Sequence, residues 1–209
     1  MTVKRPDEKA SKIANKTRFL IQIAGGAIFG ALSAVVYPVL KPIIDLTRVP
    51  EGLALFDPIS LIWMACFFIF GPLAGILCSL VGTVTLMPFD SFAPIGPLMK
   101  LAATFCLMIV PILLLRLYKQ ENGSQKLKNP KNFIICAILG VILRDIVMIL
   151  LNIPVYIGLG YPSEGLQAWL VLIAIVNPIQ SIWDLLIPYA IVFGALDYGL
   201  KLDEKFEIW

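Results

Sequence analysis

The sequence predicts an all-α membrane protein with six transmembrane helices, because its charged residues are few and lie between long apolar runs. Of its 209 residues, 59% are apolar and 15% are charged, and the mean hydropathy is +0.88. A soluble domain carries about 25% charged residues. The run from Pro58 to Phe89 contains no Asp, Glu, Lys or Arg, and ~20 apolar residues suffice to cross a bilayer. The alternating segments typical of a transmembrane barrel do not occur.

The apolar runs and the breaks between them place the helices. We expect them over residues 17–40, 57–70, 72–87, 95–118, 132–158 and 167–200. The second and third are separated at Gly71-Pro72, since proline disrupts a helix interior but fits the first turn of a new helix. The pattern therefore predicts two short helices that reverse tightly after Phe70.

The distribution of lysine and arginine predicts the orientation. Thirteen of the 17 lie in the N-terminal tail, after the fourth helix or at the C-terminus, and an even number of helices puts these on one side. We expect a cytoplasmic tail over residues 1–16 that is not a cleavable signal, a six-helix domain over 17–200 and a cytoplasmic tail over 201–209. The outer connection from Lys41 to Phe56 is either a functional cover or a solvated connector.

Composition excludes several kinds of function. The chain has no histidine, which excludes Ser-His-Asp and Cys-His catalysis and histidine metal sites. Its four cysteines are isolated within apolar segments, which is typical of cysteines that pack as small buried apolar side chains. A net charge of +3 does not suggest a nucleic-acid partner, and no Walker loop is present for nucleotide hydrolysis. We therefore expect no catalytic residue, no bound metal and no cofactor.

A stripe of small residues runs along the first helix. Four-residue spacing places its members on neighbouring positions of one face, and small side chains allow helices to approach closely in lipid. The stripe serves either internal packing or docking of a partner membrane protein. Its members are Gly26, Ala27, Gly30, Ala31 and Ala34.

Ionisable residues occur at membrane depth, where they are costly and usually functional. Arg144 in the fifth helix and Asp184 in the sixth have similar depths, so an ion pair between them is expected. The pair is either structural or part of a ligand site. Asp145 would then face elsewhere, toward water or another helix.

A second polar set lies nearer the outer face. Asn152 is eight residues after Arg144, and Asn177, Gln180 and Ser181 share one stripe with Asp184. Two amides and a hydroxyl on facing helices can hydrogen-bond the edge of a heterocycle, although interhelical hydrogen bonding alone also explains them. Three further residues are candidates for contacting a ligand. They are the aromatic side chains of Trp63 and Trp183 and the cation of Lys100, which is expected toward the outer side.

The segment Phe70–Gly75 resembles the FGP-x-x-G turn of the substrate-binding S-components of energy-coupling factor (ECF) vitamin transporters. The resemblance extends over nearly the whole chain, with six helices, both termini inside and a small-residue stripe on the first helix. Within the family the riboflavin type is closest. Residues 147–152 are similar to its V-x-M-x-L-L-N segment, and residues 176–181 resemble its F-N-x-x-K-G segment. Here Val176, Gln180 and Ser181 replace Phe, Lys and Gly.

The resemblance implies a function and partners. An S-component captures a vitamin from outside, here riboflavin or a related vitamin, and catalyses no reaction. Asn152 and Asn177 match the asparagines that contact the flavin ring. The partners would be one coupling membrane subunit, which docks on the stripe of the first helix, and two ATPase subunits. Alternatives are an S-component for another small vitamin or base, a membrane-embedded lipid-modifying enzyme that uses Asp184, Asp145 and Arg144, and a purely structural membrane partner.

Overall fold

The computed structural model describes residues 8–49, 53–117 and 123–196. Within these ranges the chain is helical and contains no strand. The α-helices are α1 (Glu8–Leu46), α2 (Pro58–Phe70), α3 (Pro72–Leu86), α4 (Ile95–Leu117), α5 (Gly123–Lys128), α6 (Pro130–Gly158) and α7 (Leu166–Tyr189). A 3-10 turn over Ser163–Gly165 precedes α7, and a π-helical segment over Ala190–Leu196 follows it.

The all-helical fold is confirmed, and most of the predicted helix boundaries are close to those observed. The reversal between α2 and α3 has a clear cause. Gly71 ends α2 with φ 95° and ψ −172°, and its N–H donates to the carbonyl of Phe67. Glycine adopts such a positive φ readily, and Pro72 then occupies the first turn of α3.

Three features differ from the sequence-based expectations. Helix α1 begins at Glu8 rather than at residue 17 and continues past Lys41 to Leu46. The extension contains Pro42 and is supported by an i, i+4 ion pair of 2.9 Å between Lys41 and Asp45. The basic connection after α4 contains the short helix α5, and the last helix changes from α to π geometry after Tyr189. The predicted C-terminal tail, residues 201–209, lies outside the described residues.

Helices α2, α3, α4, α6 and α7 contact one another in a closed ring, and α1 packs on α2 and α3. The main hydrophobic core includes Trp63, Phe67 and Phe68 of α2 and extends to Tyr37 and Ile44 of α1. The close approach of α1 to α3 depends on glycines. A Cβ atom at Gly26 would lie 2.9 Å from the Ala74 carbonyl oxygen, and one at Gly30 would lie 2.8 Å from Val81.

Within the described residues, four helical stretches are long and apolar enough to cross a membrane: Asn15–Leu46, Ile95–Arg116, Pro130–Gly158 and Ser163–Leu196. Helices α2 and α3 have 13 and 15 residues, which at 1.5 Å per residue is about 20 Å each. The hydrocarbon core of a bilayer is ~30 Å thick. By length and composition the chain is therefore a membrane protein in which four of the described helices are long enough to span and two apolar helices are shorter.

Candidate ligand-binding cavity

A cavity opens at the end of the bundle where the connections α1–α2, α3–α4 and α6–α7 lie. Its volume is about 180 Å³, whereas one water needs only ~10–15 Å³, so it has room for a small organic molecule. Residues from all three connections line its mouth, among them Ala54, Phe92 and Tyr161. Its walls come from α4, α6 and α7. They are largely apolar, as is usual for ligand pockets.

The predicted ion pair forms the deep polar wall of this cavity. Arg144 Nη1 lies 2.7 Å from Asp184 Oδ2, and Arg144 Nη2 donates a hydrogen bond of 2.8 Å to Gln180 Oε1. Arg144 and Asp184 are 4% and 3% exposed. A buried pair of this kind holds its members in fixed positions, because neither charge can leave the other without a large desolvation penalty.

Asp145 does not share this site. It is absent from the cavity lining, and its Oδ1 atom is buried without a hydrogen-bond partner in the described part of the chain. This agrees with the expectation that Asp145 faces away from the pair.

The two asparagines lie in the cavity wall, each at 4% exposure. Asn152 Nδ2 donates to the carbonyl of Met148 at 2.8 Å, and Asn177 Nδ2 donates to that of Ile173 at 3.0 Å. Both bonds run back along the helix by four residues and use one N–H of each amide, which turns the nitrogen end of the side chain toward its own backbone. The side-chain carbonyl oxygens are therefore the atoms best placed to accept hydrogen bonds from a ligand.

Ser181 is part of the same stripe but not of the cavity lining. It is fully buried, and its hydroxyl donates to the carbonyl of Asn177 at 2.8 Å. This side chain supports the wall rather than forming it.

The mouth of the cavity carries charges of both signs. Lys100 lines the cavity, donates a hydrogen bond to Asp57 and lies 5.4 Å above the ring of Trp63. Arg48 packs against the ring of Phe92 at 5.5 Å. With Arg144, these give three cationic side chains, matched by three acidic ones: Asp57, Asp90 and Asp184. The lining is therefore balanced in charge.

The two predicted aromatic contacts lie elsewhere. Trp63 is fully buried in the core, where its Nε1 donates to Ser33 Oγ at 2.9 Å. Trp183 is 44% exposed on the outer face of α7 and contacts Phe56 edge-on at 6.3 Å. Neither is among the cavity-lining residues, which instead include Trp169 and Tyr161.

Three lining residues, Trp169, Asp57 and Asp90, are not among the candidates identified from the sequence. For Trp169, the spacing along the helix does indicate its position. Trp169 and Ile173 precede Asn177 at steps of four and extend its stripe toward the mouth. Asp57 and Asp90 lie in connections, where no periodicity shows which cavity a side chain will face.

The small-residue stripe of α1 divides between two faces. Gly26 and Gly30 are buried against α3, so internal packing accounts for them. Ala27 and Ala31 are exposed, and Ala34 is partly buried. The prediction of a docking surface therefore rests on the two exposed alanines.

Comparison with known proteins adds no relative. No protein-family model, no curated protein and no solved structure matches this chain.

Proposed function

We propose that this chain is the substrate-capture subunit, or S-component, of an ECF-type transporter that imports a vitamin, with riboflavin as the first candidate. One observation supports this most strongly. Asn152 and Asn177, the two asparagines that match the riboflavin-type segments, lie in the wall of one cavity that opens at one end of the bundle. The proposal includes no catalytic residue and no cofactor, because the vitamin is cargo.

The proposed topology has six spans with both termini and α5 in the cytoplasm, so that the cavity faces outward. The asymmetry of lysine and arginine supports this orientation, with the lipid bilayer around α1 to α4, α6 and α7. Labelling with a membrane-impermeant thiol reagent in intact cells tests it. We expect Ala54→Cys to be modified and Ser124→Cys to be spared, and modification of Ser124→Cys in sealed cells would contradict the orientation.

The chemistry of the wall suits an uncharged heterocycle. Equal numbers of cationic and acidic side chains line the cavity, so a ligand with a net charge would have no surplus opposite charge to meet. The side-chain oxygens of Asn152 and Asn177 favour a ligand edge that donates hydrogen bonds, such as a lactam N–H. Riboflavin is uncharged, and its ring edge carries one such donor, an N–H between two carbonyl groups. Apolar lining side chains such as Met99 and Met148 suit its ring.

The proposed partners are one coupling membrane subunit and two ATPase subunits. Ala27 and Ala31 support a docking surface on α1, since they are exposed and small. Apolar side chains exposed beside them, Ile28 at 65% and Val35 at 69%, extend this surface.

The proposal is tested by uptake of radiolabelled riboflavin into cells that lack their own riboflavin transporter. Cells that express this chain together with a coupling module should accumulate riboflavin, and cells that express either alone should not. Uptake that does not depend on the chain would contradict the proposal. Gln167→Leu is a control variant that should support uptake as the parent chain does, because Gln167 is exposed at the start of α7 and lies outside the cavity lining.

A second candidate is an S-component for another small vitamin or base. The observation that favours it is Gln180, which stands where the riboflavin type has a lysine and whose two polar atoms are engaged by Arg144 and Ala54. Competition of unlabelled vitamins against riboflavin uptake separates the two candidates. If a different vitamin displaces riboflavin at lower concentration, it is the better substrate.

A further inference from the structure

The side chain of Gln180 joins two parts of the molecule that are far apart in the sequence. Its Oε1 atom accepts the hydrogen bond from Arg144 on α6, and its Nε2 atom donates to the backbone carbonyl of Ala54 in the α1–α2 connection. Gln180 is among the cavity-lining residues, but both of its polar atoms are engaged in these contacts. Given the proposed ligand site, we infer that Gln180 is a positioning residue that holds this connection against the buried ion pair and does not hydrogen-bond the ligand.

The anchor on the helical side is rigid. Arg144 is held by Asp184 at 2.7 Å and is 4% exposed, so its guanidinium has a fixed position between α6 and α7. A hydrogen bond from a charged donor is stronger than one between neutral groups. The contact with Arg144 therefore fixes the side-chain carbonyl of Gln180, and this sets the direction of its amide N–H groups.

The other end of the contact is a small folded unit. Val49 N–H donates to the carbonyl of Leu53 at 2.8 Å, and Leu55 N–H donates to that of Thr47 at 3.0 Å. These bonds join residues 47–49 to residues 53–55 around Ala54. A tether at Ala54 therefore positions both segments, including the side chains of the connection that line the cavity mouth.

A second tether lies where the connection enters α2. Asp57 accepts from the N–H of Ile59 at 3.0 Å as the N-cap of α2, and it pairs with Lys100 of α4. This contact fixes the α2 end of the connection, whereas Gln180 fixes its middle. Loss of the Gln180 contact should thus release Ala54 from the wall while α2 stays capped.

The test measures the release of the connection without any ligand. The reporter is Ala54→Cys, which keeps the backbone carbonyl that Gln180 contacts. Background is low, because all four native cysteines are buried. The rate of modification by a water-soluble thiol reagent is measured on the purified full-length protein in detergent, with Gln180 intact and in two variants.

Gln180→Met removes both polar contacts, and Gln180→Glu keeps an acceptor for Arg144 while it removes the donor to Ala54. One hydrogen bond typically corresponds to roughly two- to tenfold in such an equilibrium. We therefore expect both variants to raise the labelling rate of Ala54→Cys by roughly two- to tenfold. The control Gln167→Met on the same helix should leave the rate unchanged.

Two further measurements are needed. One distinguishes release of the connection from partial unfolding of the bundle, and the other separates the role of Gln180 from the identity of the ligand. Gln180→Met without the reporter must label as slowly as the parent, because a partly unfolded bundle would expose its native cysteines. Rates that stay at the parent value in both Gln180→Met and Gln180→Glu overturn the inference, and if Gln180→Met does not fold, Gln180→Glu decides alone. Riboflavin that gives the parent reporter no protection argues against riboflavin as the ligand, while the ligand-free rates still decide the role of Gln180.

Discussion

Removal of one member of the Arg144–Asp184 pair should destabilise the protein far more than removal of both. The charged atoms are 2.7 Å apart, and at an effective dielectric constant of about 20 their attraction is on the order of 6 kcal/mol. Desolvation offsets much of this attraction, so the pair itself contributes little net stability. Asp184→Asn, however, leaves a guanidinium at 4% exposure without its counter-charge, and such losses cost ~3–5 kcal/mol.

The assay is a double-mutant cycle of unfolding free energies, followed by tryptophan fluorescence in lipid bicelles as denaturing detergent is added. Asp184→Asn and Arg144→Gln should each lose ~3–5 kcal/mol, and the double variant should lose less than the sum of the two. Gln167→Leu is the control. Gln167 is exposed at the start of α7 and lies outside the cavity lining, so we expect a change in unfolding free energy below ~1 kcal/mol. Strictly additive losses, or single losses no larger than that of the control, would refute this reasoning.

Five other variants test the cavity and the α1 surface. Asn152→Leu and Asn177→Leu should each lower riboflavin affinity ten- to hundredfold in isothermal titration, because a desolvated ligand group loses a partner worth ~1–3 kcal/mol; unchanged affinities would remove the asparagines from the site. Gly26→Leu should lower the thermal unfolding midpoint, since a Cβ there lies 2.9 Å from the Ala74 carbonyl, whereas Ala27→Leu should leave it unchanged and block co-purification with the coupling subunit. Gln180→Lys should weaken riboflavin binding by placing an ammonium beside the Arg144 guanidinium; binding that holds or tightens would support a ligand-contacting role for this position.

Much of the fold could be predicted because a helix that lies in a bilayer requires a long run of residues without charge. Long uncharged runs identify helices by length alone, and Gly71-Pro72 marks a turn through backbone geometry that few other residue pairs allow. The first helix was predicted too short because Lys41 and Pro42 usually end an apolar helix. Here the ion pair of Lys41 with Asp45 supports another turn, and the helix continues to Leu46.

The candidate site was predictable where periodicity governs it. The structure brings Asn152, Asn177 and Asp184 into the lining of one cavity, as expected when steps of three and four residues put side chains on one helix face. The positions of Trp63 and Trp183 could not be derived in this way. Both are apolar aromatic residues on amphipathic or buried helices, and tertiary packing alone decides whether such a ring faces the core, the lipid or the cavity.

The contacts of the α1–α2 connection with distant helices could not be predicted. The bond from Gln180 to Ala54 spans 126 residues in sequence, and no pattern in either segment indicates it. The same holds for Lys100 and Asp57, which meet only because α4 packs beside the start of α2.

Binding of riboflavin to the purified protein tests the central proposal most directly. The protein is purified in detergent, its absorbance is scanned for flavin bands, and riboflavin is then titrated into the flavin-free form by calorimetry. We predict saturable binding of one riboflavin per chain at micromolar concentration or below, and loss of that binding in the Asn152→Leu, Asn177→Leu double variant. A parent protein that binds no riboflavin at micromolar concentration, or a double variant that binds it as tightly as the parent, would contradict riboflavin capture by this cavity.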